Sequence, residues 1–239
     1  MPIDSPAGKV GSRGRKTRIR RGLVRRYGMT LVFLALVAFM LATKSQFGTY
    51  QNISNVLAQN SIIGIIACGM TFAIILGGFD LSVGAVAALS SVVGATLMID
   101  MDVLSIPIGI AGALFACLLV GAVNGWLIAY IGVNPFVSTL GTMTVVRGLI
   151  YVATNATPQA ALGYELTAIA AVIVGGAALG GGSGRMWGTI VGVFLLGVIA
   201  NALNLFGVSP FWQPVATGLI LIVAVGLDGY SGRGEFSSR

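Results

Sequence analysis

An all-α fold, a polytopic transmembrane helical bundle of about eight membrane segments, is what the sequence predicts. Three observations carry this. The chain is 56% hydrophobic with a mean hydropathy of +0.94. Charged residues make up 9%, against about a quarter in ordinary soluble domains. The apolar residues fall in runs of roughly 15–25, the length a bilayer-crossing helix needs. Thirty-five glycines fit the same picture, because small residues let membrane helices approach closely. No repeating short segments alternate apolar and polar residues, so nothing points to a barrel.

Residues 1–27 form a polar, basic tail that holds Lys9, Arg13, Arg15, Lys16, Arg18, Arg20, Arg21, Arg25 and Arg26. Nine of the fourteen Lys and Arg residues therefore sit at one end and account for the net charge of +7. Such a tail resists translocation and is expected in the cytoplasm, where it can also touch anionic lipid. It lacks the aromatic or folded elements of a nucleic-acid module, so no nucleic-acid partner is expected. Residues 28–228 carry the membrane domain, and residues 229–239 a second cytoplasmic tail.

The first span is expected over Met29 to Thr43, as a retained anchor. Lys44 to Asn60 is polar and reads as an outer loop. Ser61 to Leu76 is expected to descend, and Leu81 to Ile99 to climb back. Asp100-Met101-Asp102 makes an acidic outer loop. Pro107 opens a helix to about Ile131. Asn134-Pro135 is a turn signal, and Phe136 to Thr154 is the fifth span. Asn155 to Glu165 is polar and is placed outside. Leu166 to Leu179 is a short apolar run, broken by Gly180 to Gly184. Met186 to Phe206 and Pro214 to Leu227 complete the set. An even count returns the C-terminus to the side of the basic tail. Two places share an outline, an apolar run, a glycine pair, a polar break and a second apolar run: Gly77-Gly78 and Gly175-Gly176 to Gly188.

Several chemistries are excluded. There is no histidine, which removes Ser-His-Asp and Cys-His nucleophilic sites and His-based zinc sites. No phosphate-binding loop surrounds Lys9, Lys16 or Lys44. Gly180-Gly181-Gly182-Ser183-Gly184 lacks dinucleotide spacing, because Trp187 stands where the last glycine belongs. Cys68 and Cys117 lie in apolar runs and read as small buried hydrophobes. No cofactor or metal is expected.

Function is expected in two groups of residues. The stretch Gly77-Gly78-Phe79-Asp80-Leu81-Ser82-Val83-Gly84 sets a carboxylate among glycines between two apolar runs. A carboxylate is costly in hydrocarbon, and unwound backbone is tolerated only where protein or water surrounds it. The first reading is a helix cap, with Asp80 or Ser82 accepting from the opening amides of the Val83 helix. The second group is Asn124, Ser138, Thr139, Thr142 and Arg147. Asn124 in an apolar span either bridges helices or lines a path. Arg147 is a cation inside an apolar run, by default a functional residue, with snorkelling to the interface as the alternative. Trp212 and Phe211 read as an interfacial aromatic belt.

Gly77-Gly78-Phe79-Asp80-Leu81-Ser82-Val83-Gly84 closely resembles the Gly-Gly-Ile-Asp-Leu-Ser-Val-Gly signature of bacterial sugar permeases, the membrane subunits of ribose-type ABC importers. The resemblance continues in order through Asn124-Gly125, Asn134 to Met143, Arg147-Gly148, Gly163 to Leu166, Ala168 to Val172, Gly175-Gly176, and Gly207 to Gln213. It implies a separate ABC ATPase subunit, a periplasmic sugar-binding protein, a second permease copy and a seat in the bacterial inner membrane. It also implies alternating access for a monosaccharide such as ribose, xylose or galactose. Gly77, Gly78, Asp80, Ser82 and Gly84 become candidates for ATPase docking or helix capping. The substrate-path candidates are Asn124, Ser138, Thr139, Thr142 and Arg147.

The chain departs from that pattern after Thr154-Asn155-Ala156. The resemblance implies two further spans with a basic cytoplasmic loop between them. The sequence passes at once to Thr157-Pro158-Gln159. Removal of one in-and-out hairpin preserves the topology of everything after it. A permease whose ATP hydrolysis is uncoupled from uptake, an internally truncated and non-transporting membrane protein, is therefore the alternative to a working transport subunit.

Overall fold

The computed structural model describes residues 12–99, 105–155, 163–209 and 211–223, with side chains from residue 27 onward. The acidic loop at Asp100-Met101-Asp102, the junction at Ala156-Thr157 and the C-terminal tail lie outside the described residues. Among the described residues eight α-helices follow one another: α1 (Ser12–Thr43), α2 (Tyr50–Ile75), α3 (Val83–Leu97), α4 (Ser105–Ala129), α5 (Pro135–Thr154), α6 (Tyr164–Val174), α7 (Met186–Leu205) and α8 (Trp212–Val223). No strand occurs among the described residues. The predicted helical bundle is what is found.

α2, α4, α5 and α7 are each long and apolar enough to cross a membrane. Four shorter apolar stretches accompany them: Tyr27–Thr43 in α1, α3, α6 and α8. α1 begins well before the expected first span and runs through much of the basic tail.

The expected outer loop over Lys44 to Asn60 needs correction. Only Lys44 to Thr49 is non-α-helical, with a 3₁₀ turn at Ser45–Gly48. α2 starts at Tyr50, capped by Thr49, whose hydroxyl accepts from the amide of Asn52. The amides that make this stretch read as a loop are used inside the helix and across it. Gln51 donates to Asn55 one turn on. Asn52 and Asn201 of α7 exchange two hydrogen bonds, at 3.1 and 2.7 Å. Asn60 donates to the carbonyl of Val56. Paired amides can occupy an apolar helix because their cost is removed by the pairing.

α6 is the centre of the bundle. Ala168 to Val174 are all buried, and a helix apolar all round belongs inside protein. Its eleven residues rise roughly 16 Å, about half a hydrocarbon core. It packs between α2 and α7, with Ala67, Met70 and Ile74 on one side and Val193 and Leu196 on the other. The approach to α7 is backbone to backbone. A Cβ on Gly188 would strike the carbonyl of Gly175, and one on Gly192 would strike the carbonyl of Ala171. Small residues at four-residue spacing on both helices permit that contact.

A second core joins α3 to α5, where Ala85 and Ala88 meet Val146 and Ile150. Tyr164, the first residue of α6, packs against it. α4 lies outside, on α3, and turns Phe115 and Leu118 outward. At one end of the bundle, Lys44 stands 4.2 Å from the ring centroid of Phe206. Asn52 and Asn201 meet at that same end.

The opposite end gathers the three interhelical turns. Gly182 donates to the carbonyl of Ile75 at 2.8 Å. Gly78 lies against Pro135, and Gly181 lies against Gly77. Gly77 has φ +85° and Gly181 φ +80°, a region that only glycine enters cheaply. The two glycine breaks that share an outline in the sequence are therefore in contact.

A candidate polar seam across three helices

The site begins at the break between α2 and α3. Asp80 and Ser82 stand two residues apart on the short segment that re-enters the bundle. Asp80 Oδ1 accepts from the backbone amide of Ser82 at 2.8 Å and from its hydroxyl at 2.6 Å. This is an Asx turn, the local alternative to helix that aspartate offers. It corrects the expected cap. Ser82 occupies the N-cap position of α3 but makes no side-chain bond to the helix amides. The carboxylate fixes the residue before the helix instead.

Ser82 is buried, with 1% of its surface exposed. Its hydroxyl accepts from Nδ2 of Asn124 on α4 at 3.2 Å. Asn124 Oδ1 in turn accepts from Ser138 at 3.1 Å and from Thr142 at 2.7 Å, both on α5. Thr139 donates to the carbonyl of Phe79 at 3.2 Å and to that of Pro135 at 2.9 Å. α5 can present these groups because Asn134 caps it, accepting from the amide of Phe136, and Pro135 opens it. Ser138, Thr139 and Thr142 then fall on adjacent faces of one turn and a little more.

Six of the residues singled out in the sequence thus meet in one place: Asp80, Ser82, Asn124, Ser138, Thr139 and Thr142. Asn124 bridges helices through both ends of its amide. The seam is a run of neutral hydroxyl and amide groups that ends on one carboxylate. Such groups exchange hydrogen bonds with a neutral polar solute without a large change in charge. Of the signature residues, Gly77 is exposed, Gly78 and Asp80 are half-buried, and Ser82 and Gly84 are buried.

Arg147 stands apart from this group. Its guanidinium donates to Glu165 Oε1 on α6 at 2.9 Å. Sequence reading placed Glu165 in a polar outer loop; it is the second residue of α6 and is buried. Arg147 is paired within the protein instead of snorkelling free. The only sequence clue was that a cation in an apolar span requires an anion nearby. Among the described residues, no group of His, Cys, Asp and Glu could hold a metal ion. Cys68 and Cys117 are free thiols, half-buried instead of fully buried.

The described residues form a helical membrane bundle with polar groups threaded between spans and with helices broken by glycine at one end. Comparison with known proteins makes the class specific. A family described as "Branched-chain amino acid transport system / permease component" matches residues 52–157. The ribose import permease protein RbsC of Bacillus subtilis (strain 168) is 32% identical over 305 aligned positions, covering 87% of this chain and 94% of that protein. The L-arabinose transport system permease protein AraH of Escherichia coli (strain K12) is 27% identical, covering 85% of this chain and 90% of its own length. The galactose/methyl galactoside import permease protein MglC of the same organism is 28% identical, with 84% and 93% covered. No solved structure matches the chain. The chain belongs to this family of bacterial importer permeases, and it is a multi-pass membrane transport subunit rather than an enzyme.

Proposed function

We propose that the chain is the membrane subunit of an ABC importer that carries a monosaccharide across the bacterial inner membrane. A separate ATPase subunit supplies hydrolysis, a periplasmic binding protein delivers the sugar, and a second permease copy completes the path. The observation that carries this reading is the seam from Ser82 through Asn124 to Ser138 and Thr142. Its hydroxyl and amide groups are mostly buried and bonded to one another. In this reading they exchange those bonds for the hydroxyls of a sugar, with little fixed charge to hold it, so that it binds weakly enough to leave. Ribose, arabinose and galactose permeases among the relatives favour the same solute class.

In this reading Asn124, Ser138, Thr139, Thr142 and Arg147 serve the path. Gly77, Gly78, Asp80, Ser82 and Gly84 shape the end that faces the ATPase, because the three turns gather there. The basic tail puts that end, and both termini, in the cytoplasm. A reporter fused at Ser5 and a cysteine placed at Ser237 are expected to report the inner side; either one labelled from outside reverses the orientation. Reconstitution with the ATPase and binding protein encoded beside it tests the function. ATP-dependent accumulation of a monosaccharide supports the transport reading. Membrane insertion with no sugar-dependent ATPase stimulation supports the non-transporting alternative.

A further inference from the structure

The described helices divide into two groups, each with its own core. α2, α6 and α7 share the first, around Ala67, Met70, Ala171 and Val193. α1 joins it through Met40, which meets Val198 of α7, and α8 through Ile220 and Leu221. α3 and α5 share the second, around Ala85, Ala88, Val146 and Ile150, with Val120 of α4 against it. A set of helices with a core of its own can move as a unit.

Polar side chains fasten each group internally. In the first, Asn52 and Asn201 exchange two hydrogen bonds, and the hydroxyls of Thr71 and Thr189 meet at 2.7 Å in the core. In the second, Asn124 ties Ser82 to Ser138 and Thr142. Across the groups the fastening is slight. Among the described residues the one ion pair, Arg147 on α5 to Glu165 on α6, spans them. It uses a single carboxylate oxygen, for Glu165 Oε2 is buried and has no hydrogen-bond partner. The Arg147 side chain is 29% exposed, so the pair is not sealed in the interior.

The chain passes from the first group to the second through the break at 76–82. Its bonds change sides between two neighbouring residues. The amide of Gly78 donates to the carbonyl of Ala73 on α2 at 2.9 Å. The carbonyl of Phe79 accepts from Thr139 on α5 at 3.2 Å. Gly78 rests against Pro135, the first residue of α5. Phe79, Leu81 and Val83 pack on the first core at this same end. Arg147 stands twelve residues along α5 from Pro135, about 18 Å away. A small rotation at Gly78–Phe79 therefore moves the contacts near the glycine turns little and the ion pair much more. Hinges are a few element-terminal residues that absorb such a change in φ and ψ.

We propose that the subunit moves as two bodies, α3–α4–α5 against α1–α2–α6–α7–α8, hinged at Gly78–Phe79 and latched by the Arg147–Glu165 pair. Closed, the pair holds α5 on α6. Released, it lets the groups part at the end away from the glycine turns. The inference rests on the transport reading for the use made of the motion, not for the motion itself.

Distances between spin labels on the full chain in lipid nanodiscs test it, with no ATP, sugar or partner present. Cys68 and Cys117 are first replaced by alanine. Exposed positions then take cysteines in pairs. Ile65→Cys with Leu118→Cys reads across the groups. Ile65→Cys with Trp187→Cys reads within the first, and Leu118→Cys with Val145→Cys within the second. Each pair is measured with the ion pair intact, in Glu165→Gln, and in the double variant Arg147→Leu with Glu165→Leu. Both changes are expected to shift or broaden the cross-group distance, the double variant by several ångströms, and to leave the within-group distances unchanged. If the double variant fails to fold, Glu165→Gln decides. An unchanged cross-group distance overturns the proposal, and so does an equal shift within a group. Because neither ATP nor sugar enters, failure of uptake after reconstitution leaves this result standing, and a fixed distance here leaves the transport reading standing.

Discussion

The amide nitrogen of Asn124 lies 3.2 Å from the hydroxyl of Ser82, and through that bond α4 holds the break that leads into α3. The two residues are 42 positions apart. Ser82 is otherwise bound to Asp80, and Asn124 to Ser138 and Thr142 of α5. A change at Asn124 therefore reaches the signature turn and α5 together.

Asn124→Leu is expected to lower stability by about 1–3 kcal/mol, because three buried hydrogen bonds lose a partner at once. The lower part of that range is favoured in a membrane, where side-chain bonds between helices average about 0.6 kcal/mol each. Asn124→Asp keeps the acceptor for Ser138 and Thr142 but removes the donor to Ser82. It also brings a second carboxylate towards Asp80, so the loss should be larger. Thermal unfolding in detergent, read for both variants, checks the order.

Asp80→Ala removes the acceptor for the amide and hydroxyl of Ser82. The expected cost is about 1–3 kcal/mol, the range for lost hydrogen bonds to a charged acceptor. Asp80→Asn keeps an acceptor and should recover most of it. Protein abundance is the first readout and uptake the second. Normal abundance with an altered sugar preference would place Asp80 in the path and not in the turn.

Gly192→Leu should be among the most damaging single changes in the chain. Any Cβ there meets the carbonyl of Ala171, and overpacking of a close contact costs about 1–3 kcal/mol or more. Gly148→Ala is the contrasting case. It lies in α5 with nothing within 4 Å of the added Cβ, and should be neutral or stabilising by about 0.5–1 kcal/mol. Equal effects on melting temperature would show that α6 and α7 do not depend on their close approach.

The helices were legible because apolar runs and turn residues mark them directly. Pro135 after Asn134 announces the start of α5, and the glycines announce both breaks. The start of α2 was not legible. Tyr50 to Asn60 reads as polar on average, and only the partners of Asn52, Asn55 and Asn60 show that each amide is satisfied within or between helices. The seam was legible as a set of residue types, since hydroxyls and an amide in apolar spans need partners. Its connectivity was not, because nothing in the sequence ties Ser82 to Asn124. Glu165 was missed for the same reason. Its neighbours Gly163 and Tyr164 suggest a turn, and its partner Arg147 lies 18 residues away on another helix.

The pair that sequence reading missed gives the sharpest prediction. Arg147→Leu leaves Glu165 buried with neither oxygen paired, since Oε2 already lacks a partner. Breaking a fully buried ion pair from one side costs about 3–5 kcal/mol, because an uncompensated charge remains; the Arg147 side chain is 29% exposed, so the loss here is expected below that range. Removing both ends avoids that penalty. The double variant Arg147→Leu with Glu165→Leu should therefore be more stable than either single variant, and close to the unaltered chain. Melting temperatures of all four proteins close the cycle. Additive losses would mean that the two residues act independently and that the 2.9 Å contact carries no coupling. If the cycle shows coupling, uptake by the four proteins, measured beside their stability, separates two roles for Arg147. A double variant that is stable but inactive assigns Arg147 to the sugar path. One that is stable and active leaves it as the fastening between α5 and α6.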